Sequence, residues 1–257
     1  MEQAQTDFTV HLDDVEATLA AAAQSIDPAK ARERAHFMKT TMPLLGLTVP
    51  QQRRILKRGY GFSDLPPDAQ WPIWDHIWRH AQTHEGKVQA AFFLQAHVNS
   101  WPADRLWPLC RDWVETVNCW DQSDMLSGVY AELFEQLPEK LYPVYRVWNE
   151  ADNPWLRRQS LVGLICYARF RNRMPRRAWV FELLTRRLSD PDYYVQKGLG
   201  WTLREAFSAW PGETEAFLQE HVQVLAPAAW QAATEKLDTD RKAALKALRK
   251  GRSRKTA

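Results

Sequence analysis

The chain has 257 residues, 45% hydrophobic and 25% charged, a composition that supports a sizeable core and excludes a disordered polypeptide. No run approaches the roughly 18–20 uncharged apolar residues that span a bilayer, and the acidic N-terminus lacks the basic and apolar regions of a signal peptide, so a cytoplasmic location is expected. The net charge of +3 is unevenly held. Residues 236–257 carry nine Lys/Arg against Asp238 and Asp240, so this segment is +7 and the remainder sums to −4. Such a tail points to an anionic partner or to a solvated, fraying end.

In chain order, the first basic helical segment contains Phe37-Met38-Lys39, followed by a Gly46-Leu47-Thr48-Val49-Pro50 turn and Arg53. Ser63 to Pro67 place a cap residue near prolines that open a helix. His76, His80 and His84 recur at helical spacing. Without a fitting carboxylate they read as a polar helix face rather than a metal site. Trp113, Val117 and Trp120 read as one apolar stripe, and Leu126, Val129, Tyr130 and Leu133 as the next. Trp120 and Asp124 lie four apart, one helical turn from each other on a shared face.

Asp152-Asn153-Pro154 and Ser189-Asp190-Pro191 each read as a helix opening. Leu161, Leu164, Ile165 and Ala168 form a further stripe, as do Leu199, Thr202, Leu203 and Ala206. The last run overlaps the segment Gln196-Lys197-Gly198-Leu199-Gly200-Trp201-Thr202-Leu203-Arg204-Glu205. Cys110, Cys119 and Cys166 sit among apolar neighbours at spacings unlike a zinc site, and read as buried free thiols.

Roughly a dozen helices of about 10–18 residues joined by short turns are predicted. Lys87-Val88-Gln89-Ala90, Trp155-Leu156-Arg157-Arg158 and Tyr194-Val195-Gln196-Lys197 share a weak pattern. Leu156 follows Val88 by 68 positions, and Val195 follows Leu156 by 39. That is the period of helical-pair solenoids, whose stacked units bury one continuous core. A compact irregular bundle is the alternative. The expected organisation is one domain over 1–235 and a basic, partly disordered helix or tail over 236–257.

Four segments together resemble the AlkD-type DNA glycosylases from about residue 30 to about residue 235: the basic segment with its Gly46–Pro50 turn, Trp120–Asp124, Asp152–Arg158 and Gln196–Glu205. The resemblance implies an all-α solenoid of HEAT-like antiparallel helix pairs with a concave DNA-binding face. It implies excision of cationic N3- and N7-alkylpurines from duplex DNA without a base-flipping pocket. By position, Trp120 and Trp201 match the aromatic residues lining the family's catalytic cleft, Asp124 its essential carboxylate, and Arg158 an arginine near the DNA backbone. Phe37 stands where many members carry tyrosine, and Asn118-Cys119 where a related member carries another tryptophan. Further DNA contacts are expected from Lys39, Thr48, Arg53, Arg157 and Lys197. The resemblance also implies a monomer near the nucleoid, with alkylated duplex DNA as partner, no obligate protein partner, no membrane and no cofactor or metal.

The chemistry fits one carboxylate. N-glycosidic cleavage passes through an oxocarbenium-like sugar, as in O-glycoside hydrolysis. A carboxylate beside C1′ stabilises that charge and orients water. An alkylated purine is already cationic and leaves without a general acid.

Each residue alone also has an ordinary reading. Trp120 continues a core stripe, Asp124 is a surface charge or first-turn acid, Arg157 and Arg158 form a solvated face, Trp155 is core, and Trp201 exploits the close approach Gly200 allows. A non-catalytic paralogue binding unusual DNA structures, or a protein-binding helical scaffold, are the competing functional readings.

Overall fold

The computed structural model describes residues 8–253. Residues 1–7, at the acidic N-terminus, and 254–257, within the stretch expected to be partly disordered, lie outside the described residues. Among the described residues the chain is all-helical, with fourteen α-helices, two short 3₁₀ segments and no strand. Proline occupies the first turn of seven of these helices, where its missing N–H and fixed φ cost nothing. Asp27, Thr48, Thr83, Asn153 and Asp192 cap helix starts through side-chain oxygens.

Two compact units emerge, Met1–Leu126 and Ser127–Ala257. The first holds α1 (Thr9–Ala23), α2 (Pro28–Met38), α3 (Val49–Arg58), α4 (Pro67–His80), α5 (His84–His97), α6 (Ala103–Cys110) and a 3₁₀ segment (Arg111–Thr116). Helix α1 packs on α4 and α5, and α3 and α4 pack on α5. The core is aromatic. Trp71, Trp74, Trp78 and Trp113 are fully buried, and the Trp78 and Trp113 rings stack at 4.8 Å and 7°. Their indole N–H groups donate to the Trp113 carbonyl (2.9 Å) and to Asp75 (2.6 Å).

Helix α7 (Trp120–Gln136) runs through the division. The second unit continues with α8 (Pro138–Asn149), α9 (Pro154–Val162), a 3₁₀ segment (Ala168–Phe170), α10 (Arg177–Arg186), α11 (Tyr193–Ala209), α12 (Pro211–His221), α13 (Pro227–Ala233) and α14 (Thr239–Ser253). Helix α9 packs between α8 and α11, and α11 packs on α12 and α13. Gly200 makes the last of these packings possible: a Cβ there would stand 2.3 Å from the Ala229 carbonyl.

The repeat expected from the sequence is visible in the polar ties within each unit. Glu85 binds the Gly46 N–H 39 positions back, Trp113 reaches Asp75 across 38, and Arg105 reaches Asp68 across 37. In the second unit, Arg158 binds the Tyr194 carbonyl across 36, Glu205 the Ala168 N–H across 37, and Arg186 pairs with Glu150 across 36. Ties of this span are compatible with stacked helix pairs.

Four local expectations are corrected. Trp113, Val117 and Trp120 do not share a helix, because a 3₁₀ segment and extended Val117 separate Trp113 from the start of α7. His84 opens α5 and is not on α4 with His76 and His80. Leu161 lies on α9, whereas Leu164, Ile165 and Ala168 follow Gly163 outside that helix, though all four are buried. The segment at Pro191 does not open a helix either. Asp192 caps α11, and Asp190 is turned inward. The three cysteines are buried free thiols.

Of the basic tail, the described part includes α14, which docks through Leu245 and Arg249. Leu245 is 2% exposed, and Arg249 donates to the Val222 and Leu225 carbonyls beyond α12 at 2.8 and 2.7 Å. A cation there neutralises the negative end of α12.

Candidate functional site

In the first unit, Trp120 is the first residue of α7 and only partly buried. Its ring meets Phe37 edge-on at 5.6 Å and 89°, and its indole N–H lies 3.4 Å from the Phe37 carbonyl. Phe37 is 68% exposed near the end of α2. Lys39 closes that helix in the left-handed region (φ 57°), with its ammonium 3.3 Å from His36 Nε2. Asp124 follows Trp120 by one turn on α7 and is half-buried. The first-turn acid of α7 is Asp121, not Asp124.

The start of α7 is fixed by residues that sequence reasoning missed. His84 Nε2 lies 3.1 Å from Asp121 Oδ2, and its Nδ1 lies 3.4 Å from Gln122 Nε2 and 3.9 Å from Cys119 Sγ. Burial works against the imidazolium, but the hydrogen bonds to Asp121 and Cys119 outweigh it and raise the His84 pKa to about 9. Next to it, buried Glu85 accepts from Leu45, Gly46 and Leu47 at 2.7–3.1 Å. This carboxylate locks the turn in which Gly46 takes φ 87°. Both His84 and Glu85 could have been suspected only from their place at a helix start.

Thr48 is committed to a capping box with Gln51. Arg53 is exposed on α3, its guanidinium 4.2 Å above the Phe92 ring. Arg54, Lys57 and Arg58 share that helix, which has no acidic residue.

In the second unit, adjacent arginines separate sharply. Arg157 is spent internally: it grips Asp190 at 2.7 and 3.2 Å and donates to the Ala151 and Asp152 carbonyls. Burial opposes the charge on Asp190, yet its bonds to Arg157 and the Asp192 N–H hold the carboxyl below its usual range. Arg158 runs the other way and is buried as well, 4% exposed, donating to the Tyr194 carbonyl at 2.7 Å, with Cζ 5.9 Å from the Trp201 ring centre. Tyr194, Lys197, Gly198 and Trp201 form one stripe of α11. Lys197 and Trp201 are half-buried there. Trp201 meets Tyr167 edge-on at 5.8 Å and 61°, and its buried indole nitrogen has no acceptor among the described residues. Trp155, expected in the core, is half-buried and stacks on Tyr194 at 5.2 Å.

Among the described residues, no group of three or more His, Cys, Asp or Glu side chains is placed to hold a metal ion, and no helix is long and apolar enough to cross a membrane.

No curated protein matches the chain significantly. Among solved structures, the chain is similar to a protein from Enterococcus faecalis described as a predicted DNA alkylation repair enzyme. The two share 18% identity over 83% of this chain and 97% of the other, with a TM-score of 0.69. It is also similar to AlkD2 from Streptococcus mutans, with 14% identity over 91% of this chain and 100% of the other, and a TM-score of 0.55. At these identities the likeness speaks to the fold, which is that of AlkD-type helical repeats. The profile of the family described as DNA alkylation repair enzyme matches residues 15–237, most of the chain. The chain therefore belongs to the DNA alkylation repair enzyme family.

Proposed function

We propose that the protein is a monofunctional DNA glycosylase that excises cationic N3- and N7-alkylpurines from duplex DNA, without a base-flipping pocket, as the first step of base excision repair. The observation that carries this reading is the placement of Asp124. It is half-buried on α7 one turn from Trp120, whose indole is itself partly exposed.

In this reading the C1′–N bond breaks and the purine leaves with the bonding electrons, which neutralise its positive charge. The Asp124 carboxylate stabilises the oxocarbenium-like sugar and orients a water molecule. The water oxygen bonds to C1′ and its proton passes to the carboxylate and on to solvent. The products are a free alkylpurine and an abasic sugar. Trp120 and Trp201 are assigned to contacts with the sugar and the cationic base, each cation–π contact contributing about 0.5–2 kcal/mol. Lys197, Arg53 and Lys39 neutralise phosphates, fixing register without reading sequence, while buried Arg158 acts by positioning through the Tyr194 carbonyl and Trp201. Phe37 borders the site through Trp120. Thr48 and Arg157 act by positioning, the first as a cap and the second through Asp190. No lysine serves as a Schiff-base nucleophile, and the reaction needs water alone. The enzyme works as a cytoplasmic, nucleoid-associated monomer.

The test is chromatography of bases released from methylated duplex DNA, with the DNA strand followed on a denaturing gel. Free 7-methylguanine with strands that break only after alkali supports the reading. Release at the spontaneous rate favours a non-catalytic binder, and strand breakage without alkali contradicts the monofunctional assignment.

A further inference from the structure

The connection from α9 to α10 is held rigidly at both ends. The Ala168 N–H donates to buried Glu205 at 3.0 Å, and the Asn172 and Arg173 N–H groups donate to one oxygen of Glu135 at 3.0 and 2.9 Å. Arg171 ties the same end to Glu132 at 2.7 Å. The apex held by these anchors is aromatic and exposed. Tyr167 is 45% exposed in the left-handed region, at φ 53°, a conformation an L-residue with a bulky side chain seldom adopts. Phe170 is 60% exposed, and the two rings meet edge-on at 6.2 Å.

Arg169 lies against this pair, its guanidinium 4.6 Å from the Phe170 ring centre and 5.9 Å from that of Tyr167. Its charge has no carboxylate partner among the described residues. Nearby Arg171, Arg176 and Arg177 pair with glutamates, whereas the exposed Arg173 side chain, like that of Arg169, has no carboxylate partner among the described residues. The fold presents the two rings and the cation on a braced support, with Tyr167 in ring contact with Trp201.

We infer that this apex is a nucleobase-stacking site, which takes an unpaired base of DNA on Phe170 and Tyr167 while Arg169 neutralises the adjoining phosphate. Aromatic faces accept any exposed base, and an arginine beside them meets the backbone. Paired bases inside a duplex are out of reach of such a platform. An unpaired one is created opposite every abasic site, which is the product of the reaction proposed above. The inference rests on that reading for DNA as partner, and it adds retention of the product site.

The test uses the full-length protein and two duplexes carrying 2-aminopurine, one fully paired and one with the probe opposite a tetrahydrofuran abasic analogue. Wild type is expected to bind the abasic duplex about tenfold more tightly and to quench its probe. Phe170→Ala, at an exposed position, is expected to lose most of both effects, and Tyr167→Leu likewise. Arg169→Ala is expected to weaken binding to both duplexes alike. Unchanged preference and quenching in Phe170→Ala, or no preference in wild type, overturns the inference. Excision of 7-methylguanine is measured in parallel. Excision without abasic preference removes the stacking site and leaves the glycosylase reading, whereas preference without excision does the reverse.

Discussion

Arg158 lies across Gly198: a Cβ at position 198 would stand 3.1 Å from Arg158 Cγ and 3.2 Å from its Nη1. The glycine is the space through which this arginine reaches the Tyr194 carbonyl and the neighbourhood of Trp201. Gly198→Ala is expected to displace the side chain while gaining about 1 kcal/mol of helix propensity. Thermal unfolding should hardly move, and single-turnover excision should fall about tenfold, because small displacements near reacting atoms are costly. Gly200→Ala should do the opposite and lose about 1–3 kcal/mol of stability, since its Cβ would meet the backbone of α13 at Ala229. Equal loss of stability in both variants would contradict this division.

The His84–Asp121 tie sets a pH dependence. The folded pKa of His84 is raised to about 9 from 6.5, so its stabilisation is complete below about pH 6.5 and is lost as pH rises through about 9. Lys87, pushed down to about 8 by burial, has the opposite sign, its cost being relieved between about pH 8 and 10.5. Between pH 6.5 and 8, then, urea unfolding should show stability falling by about 1 kcal/mol per pH unit. His84→Gln should flatten that slope. A flat wild-type profile would show the tie to be uncharged.

Arg157 and Asp190 form an internal ion pair of the second unit, with side chains 13% and 1% exposed. Arg157→Ala should cost about 3–5 kcal/mol, since it strands a buried carboxylate. Arg157→Ala combined with Asp190→Ala should recover part of that loss. If the single variant is fully stable but binds DNA weakly, Arg157 is a phosphate contact rather than a clamp.

These outcomes bear on what could be read from residues alone. Fold class, helix openings at Asn153-Pro154, and the order of the Trp120, Arg158 and Trp201 segments follow from local spacing and are legible. Arg157 and Arg158 look alike until Asp190, 33 positions away, takes one of them. Glu85 and His84 have the composition of a polar helix start, and only the turn folded back from Leu45 makes them buried anchors. The Trp113–Trp120 stripe failed because helical spacing does not register a 3₁₀ segment ending between them. The Tyr167 apex went unread because exposed aromatics in a basic connection have no periodicity.

On α14, Lys242, Lys246 and Lys250 recur every fourth residue and are exposed, while Leu245 and Arg249 dock. Replacing the three lysines with alanine should leave folding intact and lower the slope of log affinity against log salt, by about 0.9 for each phosphate that a lysine no longer neutralises. Excision under single-turnover conditions should hold within about twofold. An unchanged slope would show this face to be merely solvated.

The most direct test of the central claim is the rate of 7-methylguanine release from methylated duplex DNA, for wild type and Asp124→Asn at matched occupancy and with unfolding profiles compared. A carboxylate that stabilises an electron-poor sugar should be worth about a hundredfold or more in rate, with DNA affinity little changed. Equal rates in the two proteins would contradict the account.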